Sequence, residues 1–427
     1  MIGFMKALLL LGLCSTVLAA KESRQWTGPE HFPMPLHDWS QLEGELVAEP
    51  GRHEGYSGWR TPLNGWAKCF RSTLRVGESS RFSTSFQVRR LENGDTPIRP
   101  RKGAAGIPQA GIWFGVKSRT PSPRNVWVHP QDPLMVLITG KGELLVGDKT
   151  GKRKFDVRKP VEVRITGAVG KEGDLLQVTA EGAGGLKESL ELKLPAGRLA
   201  GASCLAASGY GSRWSLGRWS FEGEKLIEEP EHGIGPVLWT QYTLQDEGTL
   251  KMLAQMVPLE EDDAQSALLQ FERNGEWQDV ATAKLEPLSS TFVFRLSGLV
   301  ADERIPYRVV YRVAGVDHHW EGGVRENPKD MHSFKLGVFN CDHGELFPQD
   351  TMVGNVREQD PDMLFFAGDQ IYENMDKVQI IREPLKPATL SYLNKWYQFG
   401  LTWRSLLRDR PSVILPDDHD VFMGNIW

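Results

Sequence analysis

Three short stretches toward the end of the sequence hold the side chains best suited to chemistry. They are Asn340-Cys341-Asp342-His343, Gly368-Asp369-Gln370-Ile371-Tyr372-Glu373 and Asp417-Asp418-His419-Asp420. Thiolate, phenolate, carboxylate and imidazole groups are all metal ligands. Each stretch follows an apolar run of strand length: Phe334 to Phe339, Met363 to Ala367 and Ser412 to Leu415. Open α/β sheets place their chemistry just beyond the carboxyl ends of parallel strands. The spacing therefore predicts a metal site assembled from three neighbouring strand ends.

The residues divide into roles. Gly368 lets the backbone turn sharply where the strand ends, and the Asp369 carboxylate can then give one oxygen to each of two metals. The competing reading of Asp369 is an ordinary helix-capping or turn aspartate. Tyr372, three residues on, can swing back to the same ion; a phenolate is a hard anionic ligand that favours ferric ion over zinc. Its alternative is a ring packed on the domain edge. Cys341 is either a metal thiolate or a small buried hydrophobe at a strand end. Asp342 and His343 lie on the same loop, and the sequence leaves open which of the three turns inward. In the last stretch one carboxylate can bind metal while His419 reaches toward a substrate or leaving group. Phosphoryl transfer needs positive charge on the non-bridging oxygens, an aligned nucleophile and a proton donor for the leaving oxygen. Two metals bridged by Asp369, with His419 as the catalytic acid, supply all three.

The rest of the chain must position these groups. Its 427 residues call for several domains. A net charge of −5, with no long basic run, excludes a strong electrostatic case for nucleic-acid binding. At the N-terminus Lys6 precedes the apolar run Ala7 to Leu13, and Val17-Leu18-Ala19 supplies a small-residue cleavage site. Residues 1–20 read as a secretory signal cut after Ala19 or Ala20, with a lipoprotein signal at Cys14 as the weaker alternative. No later segment is apolar enough for a transmembrane span, so the expectation is export to the periplasm or the extracellular space. Without the signal, Cys69, Cys204 and Cys341 remain. A Cys69–Cys204 disulfide, with Cys341 kept for metal, is set against three unpaired buried thiols.

Period-two alternation over residues 21–228, as in Phe82 to Val88, Val161 to Ile165 and Leu190 to Leu194, predicts a β-sandwich with one wet face per sheet, and in pattern and size the segment resembles the concanavalin-like and laminin-G-like jelly rolls. Its tryptophans (Trp59, Trp66, Trp113, Trp127, Trp214, Trp219) either stack on sugars or fill the core, and core packing is the preferred reading. A second run of alternating strands over 233–326 suits an immunoglobulin or fibronectin III sandwich. From 331 to 427 strands alternate with helices, one near Thr351 to Glu358 and one over Ala388 to Arg408. That grammar predicts a parallel sheet with right-handed crossovers.

These patches resemble the PhoD-like (alkaline phosphatase D) metallophosphatase family. Phe339-Asn340-Cys341 matches the family's first motif and Gly368 to Glu373 its Gly-Asp-x-Ile-Tyr-Glu motif. Asp417-Asp418-His419-Asp420 matches an Asp-Asp-His-Glu type motif, with Asp in the last place. The resemblance implies an exported phosphoester hydrolase using iron and calcium, or another divalent metal, and attack on phosphorus by a metal-bound hydroxide. Cys341, Asp369 and Tyr372 would lie on the iron side, Asp369 would bridge, and Asp418 would hold the second metal. The family's catalytic domain runs on past this third motif and brings further His and Asp ligands, so the sequence is expected to be a fragment. The alternative is a secreted carbohydrate- or surface-binding protein whose phosphatase region is inactive, the first sandwich making the carbohydrate contact. A glycan-processing site in that sandwich finds no paired carboxylates on adjacent strands to support it.

Overall fold

Alternating side chains build most of this chain into antiparallel sheets. The computed structural model describes residues 23–50, 66–91, 108–209, 212–245, 248–328, 332–373, 375 and 380–422. The leader 1–20 and Trp59 lie outside them. Two eight-stranded sheets face each other over residues 23–227. In the first, Arg213–Gly223, Arg81–Leu91, Val161–Ala168, Asp174–Glu181 and Lys187–Leu194 run side by side. Val163 pairs with Phe86 and with Ala180, so apolar residues stay in register on one face. That face, with Phe86, Val88, Val163, Ile165 and Val178, packs on Ile112, Phe114, Val136, Leu205 and Ala207 of the second sheet. The opposite face of the first sheet is wet.

The second sheet differs, because it is buried on both sides. Gln109–Val116 has no exposed position, and its back face carries Trp66, Phe70, Trp113 and Cys204 into another core. That core runs on without interruption through Trp127, Trp239, Phe347, Phe366 and Trp403. Trp66, Trp113, Trp127 and Trp214 are therefore interior side chains, as the preferred reading had it. The expected Cys69–Cys204 disulfide is absent. Cys69 pairs with Leu205, and Cys204 with Phe70 one position along, so the two thiols emerge on opposite faces of the sheet. Cys69 lies in the inter-sheet core and Cys204 in the core behind it, both as free thiols. Burial pushes both well up from the usual thiol range, which leaves them inert.

A seven-stranded antiparallel sandwich occupies 237–324. The third unit is a three-stranded parallel sheet in the order Leu336–Phe339, Met363–Ala367, Ser412–Leu415. Helix Asp350–Gln359 connects the first strand to the second, and helix Leu385–Leu407 the second to the third. The longer helix is buried over most of its surface, polar Ser391, Asn394, Lys395 and Gln398 included, because it is sandwiched. On one side Phe399 and Trp403 meet Phe366 with ring centroids 5.0 and 5.1 Å away. On the other, Trp396 and Tyr397 meet Trp239 at 6.3 and 6.2 Å. A Cβ on Gly400 would lie 2.4 Å from the Trp239 ring, so only glycine allows the helix this close.

The other face of the parallel sheet is uncovered. Leu336, Val338 and Leu415 are exposed there, in register with half-buried Met363, Phe365 and Val413. One edge of this sheet, the strand Leu336–Phe339, has no strand beside it among the described residues. At the opposite edge Pro411 makes a parallel bridge to Tyr242 of the neighbouring sandwich.

Candidate metal centre

All three chemistry-bearing stretches leave the carboxyl ends of the parallel strands, and backbone hydrogen bonds knit them together. Cys341 N–H donates to Gly368 O at 3.1 Å and Asp342 N–H to Asp369 O at 2.9 Å. Cys341 and Asp369 both take left-handed backbone angles, φ 54° and 56°. That conformation is costly for residues with a Cβ and recurs where a loop must aim a side chain. Gly368, at φ 105°, is required twice over. A Cβ there would also lie 2.6 Å from the Asp417 side chain.

The side chains converge as a result. Asp369 is buried, and its Oδ2 takes a hydrogen bond from the Tyr372 hydroxyl at 3.2 Å and lies 3.6 Å from Cys341 Sγ. Oδ1 of the same carboxylate is buried with no hydrogen-bond partner among the described residues. Ligand atoms of Asp369, Asp418 and His419 all lie within 4.8 Å of one another. The His419 ring lies 4.3 Å from the Tyr372 ring, which His343 flanks at 4.6 Å on another contact. The five residues singled out from the sequence (Cys341, Asp369, Tyr372, Asp418 and His419) thus occupy one site.

Three further residues hold it, and sequence reasoning assigned them no such role. Asp420 is buried and spends its carboxylate on backbone. Oδ2 accepts from Asp369 N–H at 2.7 Å and Asp417 N–H at 2.9 Å, and Oδ1 from Ile371 N–H at 3.1 Å. It staples the second loop to the third. Burial pushes its carboxyl up, against those N–H groups, which pull it down. Asp342 turns away from the site, where the Trp403 indole donates to it at 2.6 Å and the Gln349 amide also donates. Among the three candidates on its loop it is the structural one. Glu373 accepts from His419 Nδ1 at 2.7 Å. Burial pulls the His419 imidazole down, but the Glu373 hydrogen bond and the charges of Glu373, Asp369 and Asp418 outweigh it. Its pKa lies above the ordinary histidine value. Burial, Cys341 and Asp369 all push the Tyr372 hydroxyl up, so without a cation it remains a neutral donor.

A buried carboxylate oxygen without a partner costs free energy unless a cation or donor meets it. Here that carboxylate stands among a thiol, a phenol and a second carboxylate, with the His419 imidazole beside them. This donor set fits a metal ion; a cap or turn aspartate would have spent its oxygens on backbone, as Asp420 does.

No protein-family model matches this chain, and no curated protein is similar to it. Solved structures that align cover about half of the chain. Lectin II from Ulex europaeus aligns at 12% identity and TM-score 0.32, over 48% of this chain and 99% of the lectin. A legume lectin-like domain from Entamoeba histolytica gives 9% and 0.25, over 46% and 89%. The exoplasmic/lumenal domain of VIP36 gives 11% and 0.27, over 49% and 96%. At TM-scores of this size the likeness says nothing about what this chain binds.

Proposed function

We propose that this chain carries the metal centre of an exported phosphoester hydrolase of PhoD-like type. One observation carries the reading: Cys341, Tyr372, Asp418 and His419, from three separate strand ends, meet around the Asp369 carboxylate, whose Oδ1 has no partner among the described residues. Asp369 would bridge two cations, with Cys341 and Tyr372 on the iron side and Asp418 on the calcium or other divalent side. Such ions, when bound, neutralise charge on the phosphoryl oxygens and orient the ester. The chain's own residues do the rest. Glu373, 2.7 Å from His419 Nδ1, favours the imidazolium form. The other nitrogen, Nε2, can then deliver its proton to the leaving oxygen as the phosphorus–oxygen bond breaks and water adds to phosphorus; the proton that water sheds passes to solvent, from which the ring is protonated again. Asp420 keeps Asp369 and Ile371 in place while this happens.

The test is metal content first and turnover second. Elemental analysis should find iron and a second cation bound to the full chain, and Asp369→Asn should weaken uptake by about tenfold or more with an unchanged circular dichroism spectrum. Hydrolysis of p-nitrophenyl phosphate and bis-p-nitrophenyl phosphate should follow the metal. Unaltered metal uptake by the Asn variant would sink the reading. A second reading, sugar or surface binding by the first sandwich, draws on an open cleft of ≈ 620 Å³ on that unit. Arg81, Ser83, Gln177 and Glu222 edge it beside apolar Leu175. Saturable binding of neutral sugars by a metal-free chain without turnover would favour it.

A further inference from the structure

The far end of the parallel sheet, at the amino ends of its strands, carries a different concentration of charge. A cleft of ≈ 320 Å³ there is lined by Arg304, Arg325, Arg357, Arg408 and Arg410, with Asp360 and Asp409 as its acidic groups. The two carboxylates aim the guanidiniums. Asp360 Oδ1 accepts from Arg325 Nη2 and Arg410 Nη2, both at 2.7 Å. Asp409 accepts from Arg304 Nη2 at 2.6 Å and Arg408 Nε at 3.2 Å. Arg357 donates to Ser405 Oγ at 2.7 Å and meets no carboxylate among the described residues. Arg325 Nη1 also donates to Asp362 Oδ1 at 3.1 Å, so three carboxylates face five guanidiniums and two positive charges are left uncompensated in one concave site on a chain whose net charge is −5.

We infer that this cleft binds a multivalent oxyanion of the phosphate class. Guanidinium forks present paired N–H donors that match phosphoryl oxygens, and the guanidinium charge that the three carboxylates leave over is repulsive until a further anion joins them. The carbonyl end of helix Leu385–Leu407 points to this region and would oppose an anion. Its Arg408 carbonyl is already taken, however, by Gly323 N–H at 3.2 Å and the Tyr307 hydroxyl at 2.9 Å. Arg304 and Arg325 come from the seven-stranded sandwich, while Arg357, Arg408 and Arg410 come from the α/β unit. A bound oxyanion therefore clamps two units together. The site is remote from the candidate metal centre, which lies at the opposite ends of the same strands, and it stands whether or not the chain hydrolyses phosphoesters.

The experiment titrates inorganic phosphate and tripolyphosphate against the metal-free full chain by thermal denaturation and calorimetry, with sodium chloride at matched ionic strength as reference. Both anions should raise the unfolding midpoint saturably, tripolyphosphate at lower concentration, in the wild type and in Asp369→Asn alike. An Arg357→Gln/Arg408→Gln variant should bind about tenfold more weakly or worse. Arg304→Gln, at an exposed position (58%), tests the same point with little risk to folding and should bind several-fold more weakly. An equal midpoint rise in chloride, unchanged affinity in the arginine variants, or loss of binding in Asp369→Asn alone would each overturn the proposal.

Discussion

Two aspartates of one tetrapeptide show how little a residue type says without its partners. Asp418 offers a ligand atom to the cluster with Asp369 and His419, whereas Asp420, two positions on, accepts backbone N–H bonds and is inaccessible. Replacing Asp420 by Ala should strand three buried donors, a loss of about 3 kcal/mol or more. Chemical denaturation would read that loss, and metal affinity should fall with it because the Asp369 loop is no longer stapled. Asp420→Asn keeps an acceptor oxygen and should lose less on both counts. The ligand candidates were legible in the sequence because Gly-Asp after an apolar run announces a strand exit. The roles of Asp420, Glu373 and Asp342 were not. Their partners are backbone amides, a histidine and an indole 49, 46 and 61 residues away, and no local pattern reports them.

Elements repeat the lesson at longer range. Met363–Ala367 and Ser412–Leu415 form at the residues their apolar runs mark, because a short run flanked by Gly or Pro leaves few other conformations. The helix expected from Ala388 begins three residues earlier, at Leu385, with Pro387 in its first turn, where proline gives up no hydrogen bond. Gly400 could not be understood from the sequence at all. Glycine inside a helix is about 1 kcal/mol worse than alanine, so helix propensity alone recommends Gly400→Ala. The Trp239 ring, fully buried 2.4 Å from where the new methyl would sit, reverses that sign. The variant should lose about 1–3 kcal/mol through overpacking, read as a lower melting temperature. The Cys69–Cys204 disulfide failed for a related reason. The two cysteines do lie on neighbouring strands, but a one-residue offset in their pairing sends the side chains to opposite faces.

At the scale of the molecule, alternation predicted a sandwich with one wet face per sheet, and only the first sheet obeys. The second is covered on its far side by the seven-stranded sandwich and the α/β unit through one continuous core from Trp66 and Trp113 to Trp239 and Trp403. Residues 23–227 produced alone should therefore bind 1-anilinonaphthalene-8-sulfonate and aggregate, while the full chain should melt in a single transition by calorimetry. Two separate melting steps would contradict that. A unit built this way is a poor candidate for exchange between proteins. Its rear surface has been shaped to one neighbour, so recombination that moved it elsewhere would carry along a greasy wall with no mate. The lineage of this sandwich is bound to inherit its companions along with it.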